Sequence, residues 1–128
     1  MSDPKKIIVI DDDPDIVVFL TTLLADNGYA TVQANNGQEG IEKTRAERPD
    51  LILLDITMPE KSGVKYYREV RDDPELKTIP VVMVTGVMKE FEKFISTRRQ
   101  VPPPDGYLSK PVDGKELLET IAKLLSRN

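Results

Sequence analysis

The amino-acid sequence predicts an α/β fold, in which a doubly wound sheet of five parallel strands carries helices on both faces. Short apolar runs alternate with longer segments of helical periodicity, which is the signature of repeated βαβ units. The runs at 7–10, 51–54 and 81–84 are continuously apolar, as expected for strands that are covered on both faces. The chain has 128 residues, the size of one domain, so we expect a single domain over residues 1–128.

The first helix is predicted to begin with Asp13 as its N-cap and Pro14 as its first helical residue. It should end at Asn27-Gly28, where glycine allows the chain to leave the helix. The apolar stripe of this helix consists of Ile16, Val17, Leu20, Leu23 and Leu24.

A short second strand is predicted over residues 29–33. Asn36 and Glu39 then resemble a capping box for a second helix that runs to about residue 47. This helix has few apolar residues, chiefly Ile41 and Ala46, so we expect it to bury the smallest face.

After the strand at 51–54, a loop over 59–63 leads to a third helix, marked by Val64, Tyr67 and Val70 and ending before Pro74. The fourth strand begins after Pro80, and helical spacing predicts a fourth helix over 87–95. A fifth strand follows at 107–109. The last helix is capped by Asp113 and Glu116, and its apolar face consists of Leu117, Leu118, Ile121, Leu124 and Leu125.

Composition excludes several kinds of chemistry. The chain has no Cys and no His, which rules out disulfides, the usual zinc centres and a Ser-His-Asp mechanism. The net charge of -4 and the pI near 4.9 disfavour direct nucleic-acid binding. No apolar run approaches the roughly 20 residues needed to cross a bilayer, and the N-terminus lacks a secretory signal. We therefore expect a cytoplasmic protein without membrane insertion.

Charged and polar residues follow the predicted strands. Asp11 and Asp12 come after the first strand, Asp55 after the third, Thr85 ends the fourth and Lys110 follows the fifth. The carboxyl ends of parallel strands meet at one edge of a sheet, where such folds bind ligands. Carboxylates about 5 Å apart would repel by roughly 3 kcal/mol per pair at an effective dielectric near 20. An all-oxygen cluster of this kind suits a hard divalent cation, Mg²⁺ in particular.

Each of these residues also has an ordinary structural explanation. The Asp run can be a solvated turn with Asp13 as a helix cap, Thr85 can satisfy a strand end, and Lys110 can be an exposed lysine. Together, however, a metal, an ammonium and a hydroxyl would stabilise the oxygens of a phosphoryl group in transfer. One of the carboxylates would then be the nucleophile and form an aspartyl phosphate.

Four segments carry a family resemblance: 8–14 (IVIDDDP), 51–59 (LILLDITMP), 82–86 (VMVTG) and 107–111 (YLSKP). In these motifs and their order the chain resembles the receiver domain of bacterial response regulators, the CheY-like phosphoacceptor of two-component signalling. The resemblance spans nearly the whole chain. It implies a flavodoxin-like sheet with the strand order 2-1-3-4-5, whose crevice lies beside the first strand.

The resemblance assigns roles to individual residues. Asp55 matches the phosphoacceptor, which takes its phosphoryl group from a phosphohistidine of a sensor histidine kinase or phosphotransfer protein. Asp12 matches a direct Mg²⁺ ligand, Asp11 one that acts through water, and the backbone carbonyl of Thr57 a further ligand. The absence of His is consistent with a donor imidazole on another protein.

The remaining assignments concern the switch. Thr85 matches the hydroxyl that moves toward the phosphoryl group, and Tyr107 the aromatic residue that then turns inward; a simply packed tyrosine is the alternative. Lys110 matches the lysine that pairs with the phosphoryl group. The peptide bond between Lys110 and Pro111 is expected to be cis. The signal would pass through the fourth helix, fifth strand and fifth helix to a downstream protein target. The protein would be a monomer or a phosphorylation-dependent dimer.

The chain departs from the family pattern between Thr85 and Tyr107. The segment over 93–106 is a few residues longer than usual and contains Pro102–Pro104. These prolines form either a rigid connector or, together with Arg98 and Arg99, a surface for docking a partner.

The residues that would control the lifetime of the phosphoryl group are a second departure from the family pattern. Neither Thr57 nor Val87 is an acid or amide that could orient a hydrolytic water, so we expect slow self-dephosphorylation rather than conventional enzyme turnover.

Two other functions fit parts of the pattern. A Mg²⁺-dependent hydrolase of the haloacid dehalogenase type also forms an aspartyl phosphate, but it uses Asp-x-Asp, and Asp55 is followed two residues later by Thr57. A receiver-like scaffold that works without phosphorylation would have no need of the set formed by Asp12, Asp55, Thr85 and Lys110.

Overall fold

The computed structural model describes residues 4–55, 62–85 and 104–126, with the backbone alone at 62–64 and 85. Strands and helices alternate along these ranges. The strands are β1 (Lys6–Ile10), β2 (Ala30–Ala34), β3 (Leu51–Leu54), β4 (Val81–Thr85) and β5 (Gly106–Ser109), and the helices are α1 (Pro14–Asp26), α2 (Gly37–Glu47), α3 (Ser62–Asp72) and α4 (Gly114–Leu125). The helix predicted over 87–95 lies outside the described residues.

The five strands form one parallel sheet in the order β2-β1-β3-β4-β5. The predicted fold class and strand order are therefore confirmed. β2 begins one residue later than predicted, at Ala30, and α3 begins at Ser62, inside the predicted loop. The chain turns to opposite sides of the sheet after β1 and β3, and such folds bind ligands at the carboxyl ends of strands where this happens.

Alternate residues of the strands face two separate apolar cores, one on each side of the sheet. The core between the sheet and helices α2 and α3, called the α2/α3 core below, contains Ile8, Ile10, Ala34, Ile41, Ile52, Leu54, Tyr66, Tyr67, Val70, Leu76, Val81 and Met83. The core beneath α1 and α4 contains Ile7, Val9, Val17, Leu20, Leu24, Leu51, Leu53, Val82, Val84, Leu108, Leu117, Ile121 and Leu124. Burial on both faces explains why these strands are apolar at every position.

The predicted N-cap residues Asp13, Asn36 and Asp113 each accept a hydrogen bond from a backbone amide in the first turn of their helix. The side chain of Asp13 accepts a hydrogen bond from the amide of Asp15 at 2.9 Å, and that of Asp113 accepts one from the amide of Lys115 at 2.9 Å. Asn36 likewise accepts from the amide of Glu39 at 2.8 Å at the start of α2. These bonds satisfy amides that have no partner within the helix.

The buried face of α2 differs from the prediction. Ala46 is exposed, and the helix buries Gly37, Gly40, Ile41 and Thr44 instead. A Cβ atom at Gly40 would lie 2.9 Å from Ile10 Cδ1, so α2 approaches the sheet closely because this position has no side chain. Ala46 does not lie on the face of α2 that packs against the sheet, so its apolar side chain alone did not indicate burial.

A buried hydrogen bond joins α2 to α3. The hydroxyls of Thr44 and Tyr66 lie 2.7 Å apart, and Thr44 Oγ1 also donates to the carbonyl of Gly40 at 2.7 Å. Both side chains are buried, and burial raises the pKa of the Tyr66 hydroxyl well above its usual value, although the bond to Thr44 opposes this. The Tyr66 hydroxyl is therefore held in its neutral form.

We expect Tyr66→Phe to lower the free energy of unfolding by about 1 kcal/mol, because it removes one buried hydrogen bond while the ring still fills its place. Urea unfolding measures this effect. Tyr29→Phe is the control, since Tyr29 is only partly buried. Equal urea midpoints for Tyr66→Phe and Tyr29→Phe would show that the hydrogen bond between Tyr66 and Thr44 contributes nothing to stability.

None of the helices in the described ranges is long and apolar enough to cross a membrane.

Candidate phosphoacceptor and metal site

The strand register brings Asp11 and Asp55 together. Ile10 pairs with Leu54 at the ends of β1 and β3, so the next residue on each strand is an aspartate. The Asp55 amide donates to the carbonyl of Ile10 at 3.0 Å, and the Asp11 amide donates to that of Ala34 at 3.1 Å. Both carboxylates are 2% exposed, so burial as well as proximity makes their charges costly.

Lys110 reaches both buried carboxylates from the end of β5. Its Nζ lies 3.1 Å from Asp55 Oδ2 and 3.2 Å from Asp11 Oδ2, and its side chain is 24% exposed. The Lys110-Pro111 peptide bond is cis, as predicted. The ammonium group thus bridges residues that lie 99 and 55 positions away in the sequence.

Asp12 completes a cluster of three carboxylates. Oxygen atoms from Asp11, Asp12 and Asp55 all lie within 4.8 Å of one another, and Asp12 is exposed to solvent. Asp11 Oδ1 accepts a hydrogen bond from the amide of Asp13 at 2.9 Å, which orients the carboxylate. This all-oxygen set, open on the side of Asp12, fits a hard cation that retains part of its water shell.

The pKa values reflect unbalanced charge. Burial, together with the nearby charge of Asp55, raises the pKa of Asp11 above its usual 3.8, although the Asp13 amide and Lys110 oppose this. For Lys110, burial lowers the pKa, but the charges and hydrogen bonds of Asp55 and Asp11 outweigh it and leave the pKa above 10.5. Among the described residues, the ammonium group of Lys110 is thus the cation paired with this cluster of three carboxylates, and the site favours additional positive charge.

The other predicted switch residues lie nearby in the fold. Thr85 is the last residue of β4 and pairs with Ser109, which immediately precedes Lys110. Tyr107 of β5 pairs with Met83 of β4, and the partly buried side chain of Tyr107 packs against the α2/α3 core. The predictions for Thr57, Val87, Arg98, Arg99, Pro102 and Pro103 fall outside the described residues.

Sequence reasoning missed an ion pair at the amino-terminal ends of the strands, on the side of the sheet away from the carboxylate cluster. Arg71, near the end of α3, lies 2.9 Å from Asp105, which directly precedes β5. The charged residue before an edge strand was a possible signal, but the periodicity of α3 gives no indication of where Arg71 points.

Comparison with known proteins identifies the family. The response regulator receiver domain family matches residues 7–122. The chain belongs to this family, and it is a receiver domain of the two-component type.

Individual relatives are similar to this chain along most of their length. The chain is 36% identical to the protein PilH of Pseudomonas aeruginosa over 94% of this chain and 98% of PilH. It is 37% identical to the polar-differentiation response regulator DivK of Brucella anthropi, covering 95% and 97% of the two chains. Among solved structures, the chemotaxis protein CheY4 of Vibrio cholerae is similar with a TM-score of 0.84 and 28% identity, over 94% of this chain and 98% of that one.

Proposed function

We propose that the protein accepts a phosphoryl group on Asp55 from a phosphohistidine of a sensor histidine kinase or phosphotransfer protein, in a Mg²⁺-dependent reaction. The observation that carries the proposal is the position of Lys110 Nζ, 3.1 Å from the Oδ2 of Asp55, which belongs to a cluster of three carboxylates. A buried nucleophile beside an ammonium group suits phosphoryl transfer, because the positive charge can stabilise the oxygens of the transferring group.

The metal proposal rests on the donor set. Asp11, Asp12 and Asp55 would hold Mg²⁺, with the Thr57 carbonyl as a further ligand predicted from the sequence. When bound, Mg²⁺ would neutralise the charge of the carboxylates and of the phosphoryl oxygens. Because Asp11 is buried and contacts Lys110 whereas Asp12 is exposed, we assign direct coordination to Asp12 and a water-mediated role to Asp11.

The chain's own residues then have distinct tasks. An oxygen of Asp55 forms the new O–P bond as the P–N bond of phosphohistidine breaks, and the departing imidazole retains the electron pair and takes up a proton. The Lys110 ammonium, already placed at Asp55, would pair with the incoming phosphoryl oxygens. The 128 residues contain no His, so none of them can be the phosphohistidine donor.

The signal would arise from charge added at Asp55. A phosphoryl group adds about -1.5 to -2 units of charge and strong acceptor oxygens. Thr85 would bond to this group, and Tyr107 would follow by turning inward from its partly buried place beside the α2/α3 core. The population shift would change the surface of the helix predicted over 87–95, β5 and α4, where a downstream protein would bind.

Incubation with acetyl phosphate and Mg²⁺, followed by intact-protein mass measurement, tests the proposal. We expect one phosphoryl adduct that decays slowly and does not form when EDTA removes the metal. Continuous release of phosphate without an adduct would indicate a hydrolase instead. No adduct at any Mg²⁺ concentration would indicate a phosphorylation-independent scaffold.

A further inference from the structure

A polar junction fixes the point at which β5 enters the sheet. Asp105 donates its amide to the Val81 carbonyl at 2.9 Å, and its Oδ2 accepts from the Val81 amide at 2.9 Å. Both backbone groups of the first residue of β4 are thus bonded to the residue that precedes β5. Pro104, immediately before, is buried.

Arg71 connects this junction to α3. Its Nη2 donates to Asp105 Oδ2 at 2.9 Å, and its Nη1 donates to the carbonyls of Lys77 at 2.9 Å and Ile79 at 3.3 Å. The guanidinium also stacks over the Tyr67 ring, 5.1 Å from its centroid. Only 9% of the Arg71 side chain is exposed. The planar fork therefore ties α3, the loop before β4 and the start of β5 to one another.

In the part of the chain that the structure describes, few other backbone contacts determine the register of β5. It lies at the edge of the described sheet and pairs with β4 alone. Of its four residues, Leu108 is the one that is fully buried. A slip of one residue would exchange the faces of Leu108 and Tyr107 and would displace Lys110, which follows the strand directly.

We propose that Arg71 and Asp105 are positioning residues that hold β5 in register and thereby keep the Lys110 ammonium at Asp55. This inference rests on the proposed function for its effect on phosphorylation. The junction acts from a distance, because Lys110 lies five positions after Asp105, about 16 Å along the extended chain.

The charges at the junction are consistent with a fixed pair. Burial lowers the pKa of Arg71, but the hydrogen bonds and charges of Tyr67 and Asp105 outweigh it and leave the pKa above its usual value. Another Arg-acid pair, Arg48 with Glu75, has a similar distance of 2.8 Å, but its side chains are 66% and 67% exposed. Exposed pairs of this kind contribute little, so Glu75 offers a matched control.

The test compares Asp105→Ala and Arg71→Ala, singly and together, with Glu75→Ala. Asp105→Asn is the conservative variant, because its amide oxygen can still accept from the Val81 amide. Three properties are measured on each folded protein: NMR contacts between β4 and β5 without metal or phosphodonor, Mg²⁺ affinity, and the rate of phosphorylation by acetyl phosphate at saturating Mg²⁺.

We expect Asp105→Ala and Arg71→Ala to weaken or shift the contacts between β4 and β5. Because a displacement of about 1 Å can cost up to a hundred-fold in rate, we expect phosphorylation to slow about ten-fold. The double variant should be slowed by less than the product of the two single effects, since the two residues share one bond at this junction. Mg²⁺ affinity should be retained or rise, because the three carboxylates follow β1 and β3 rather than β5, and a displaced Lys110 ammonium competes less for their oxygens. Asp105→Asn should recover most of the rate, and Glu75→Ala should match the unaltered protein.

Unchanged contacts between β4 and β5, or a rate no lower than that of Glu75→Ala, would overturn the positioning role. A parallel loss of Mg²⁺ affinity and rate would also overturn it, because general loosening of the fold would then explain both. If the unaltered protein takes up no phosphoryl group, the proposed function fails, whereas the NMR contacts still decide whether the junction holds β5.

Discussion

Asp55→Asn is expected to abolish the phosphoryl adduct while leaving the protein folded. The amide group cannot act as the nucleophile, but it has nearly the same shape as the carboxylate. The change also removes one of the two buried negative charges beside Lys110, so Asp11 and the ammonium remain as a balanced pair. We therefore expect the metal-free variant to be at least as stable as the unaltered protein.

Intact-protein mass after treatment with acetyl phosphate and Mg²⁺ measures the adduct, and urea unfolding measures stability. Asp50→Asn is a useful control, because Asp50 accepts a bond from the Lys6 amide at the opposite edge of the sheet. An adduct of undiminished yield on the Asp55→Asn protein would show that another residue is the acceptor.

Lys110→Ala is expected to have the largest effect on stability. It leaves two carboxylates of 2% exposure without their shared cation. Removing one partner of a buried ion pair costs about 3 kcal/mol or more, and the partial exposure of Lys110 places this site at the lower end. Phosphorylation should also slow markedly, because no ammonium remains to pair with the phosphoryl oxygens.

The loss of stability should depend on pH. The pKa of Asp11 is already raised above its usual 3.8 by burial and by Asp55, and loss of Lys110 removes a group that opposes this rise. Because the folded state then binds the proton more tightly than the unfolded state, the penalty is present at neutral pH and disappears as the pH falls toward 3.8. In the unaltered protein, the contribution of Lys110 should be present below pH 10.5 and lost as the pH rises through its higher folded pKa.

Added Mg²⁺ should restore much of the stability of Lys110→Ala. A cation at about one hundred times its Kd stabilises the folded state by about 2.7 kcal/mol, and no ammonium competes for these oxygens in the variant. Thermal unfolding with and without Mg²⁺ measures this, with Lys115→Ala, an exposed lysine, as the control. Equal stability of the two variants in metal-free buffer would contradict the role given to Lys110.

Much of the fold could be predicted because local patterns and the sheet architecture agree. The continuously apolar runs predicted strands buried on both faces, and Asp13, Asn36 and Asp113 marked the starts of three helices. The proximity of Asp11 and Asp55 also followed from sequence, since parallel strands end at a common edge and the register of β1 with β3 is set by their apolar residues.

Features that depend on distances between elements could not be predicted in this way. Ala46 was expected in the core because it is apolar, but the close approach of α2 at Gly40 determines which face is buried. The pair of Tyr66 with Thr44 spans 22 residues and that of Arg71 with Asp105 spans 34. Neither spacing has a periodic signature, because such contacts depend on how helices sit on the sheet.

The most direct measurement identifies the residue that carries the phosphoryl group. Borohydride reduces an aspartyl phosphate to homoserine with release of phosphate, and peptide mass spectrometry then locates the modified residue. After treatment with acetyl phosphate and Mg²⁺ and then borohydride, we expect homoserine in place of Asp55. Every other aspartate should be unchanged. Homoserine at position 11 or 12, or a phosphoryl adduct with unmodified Asp55, would contradict the account of this site.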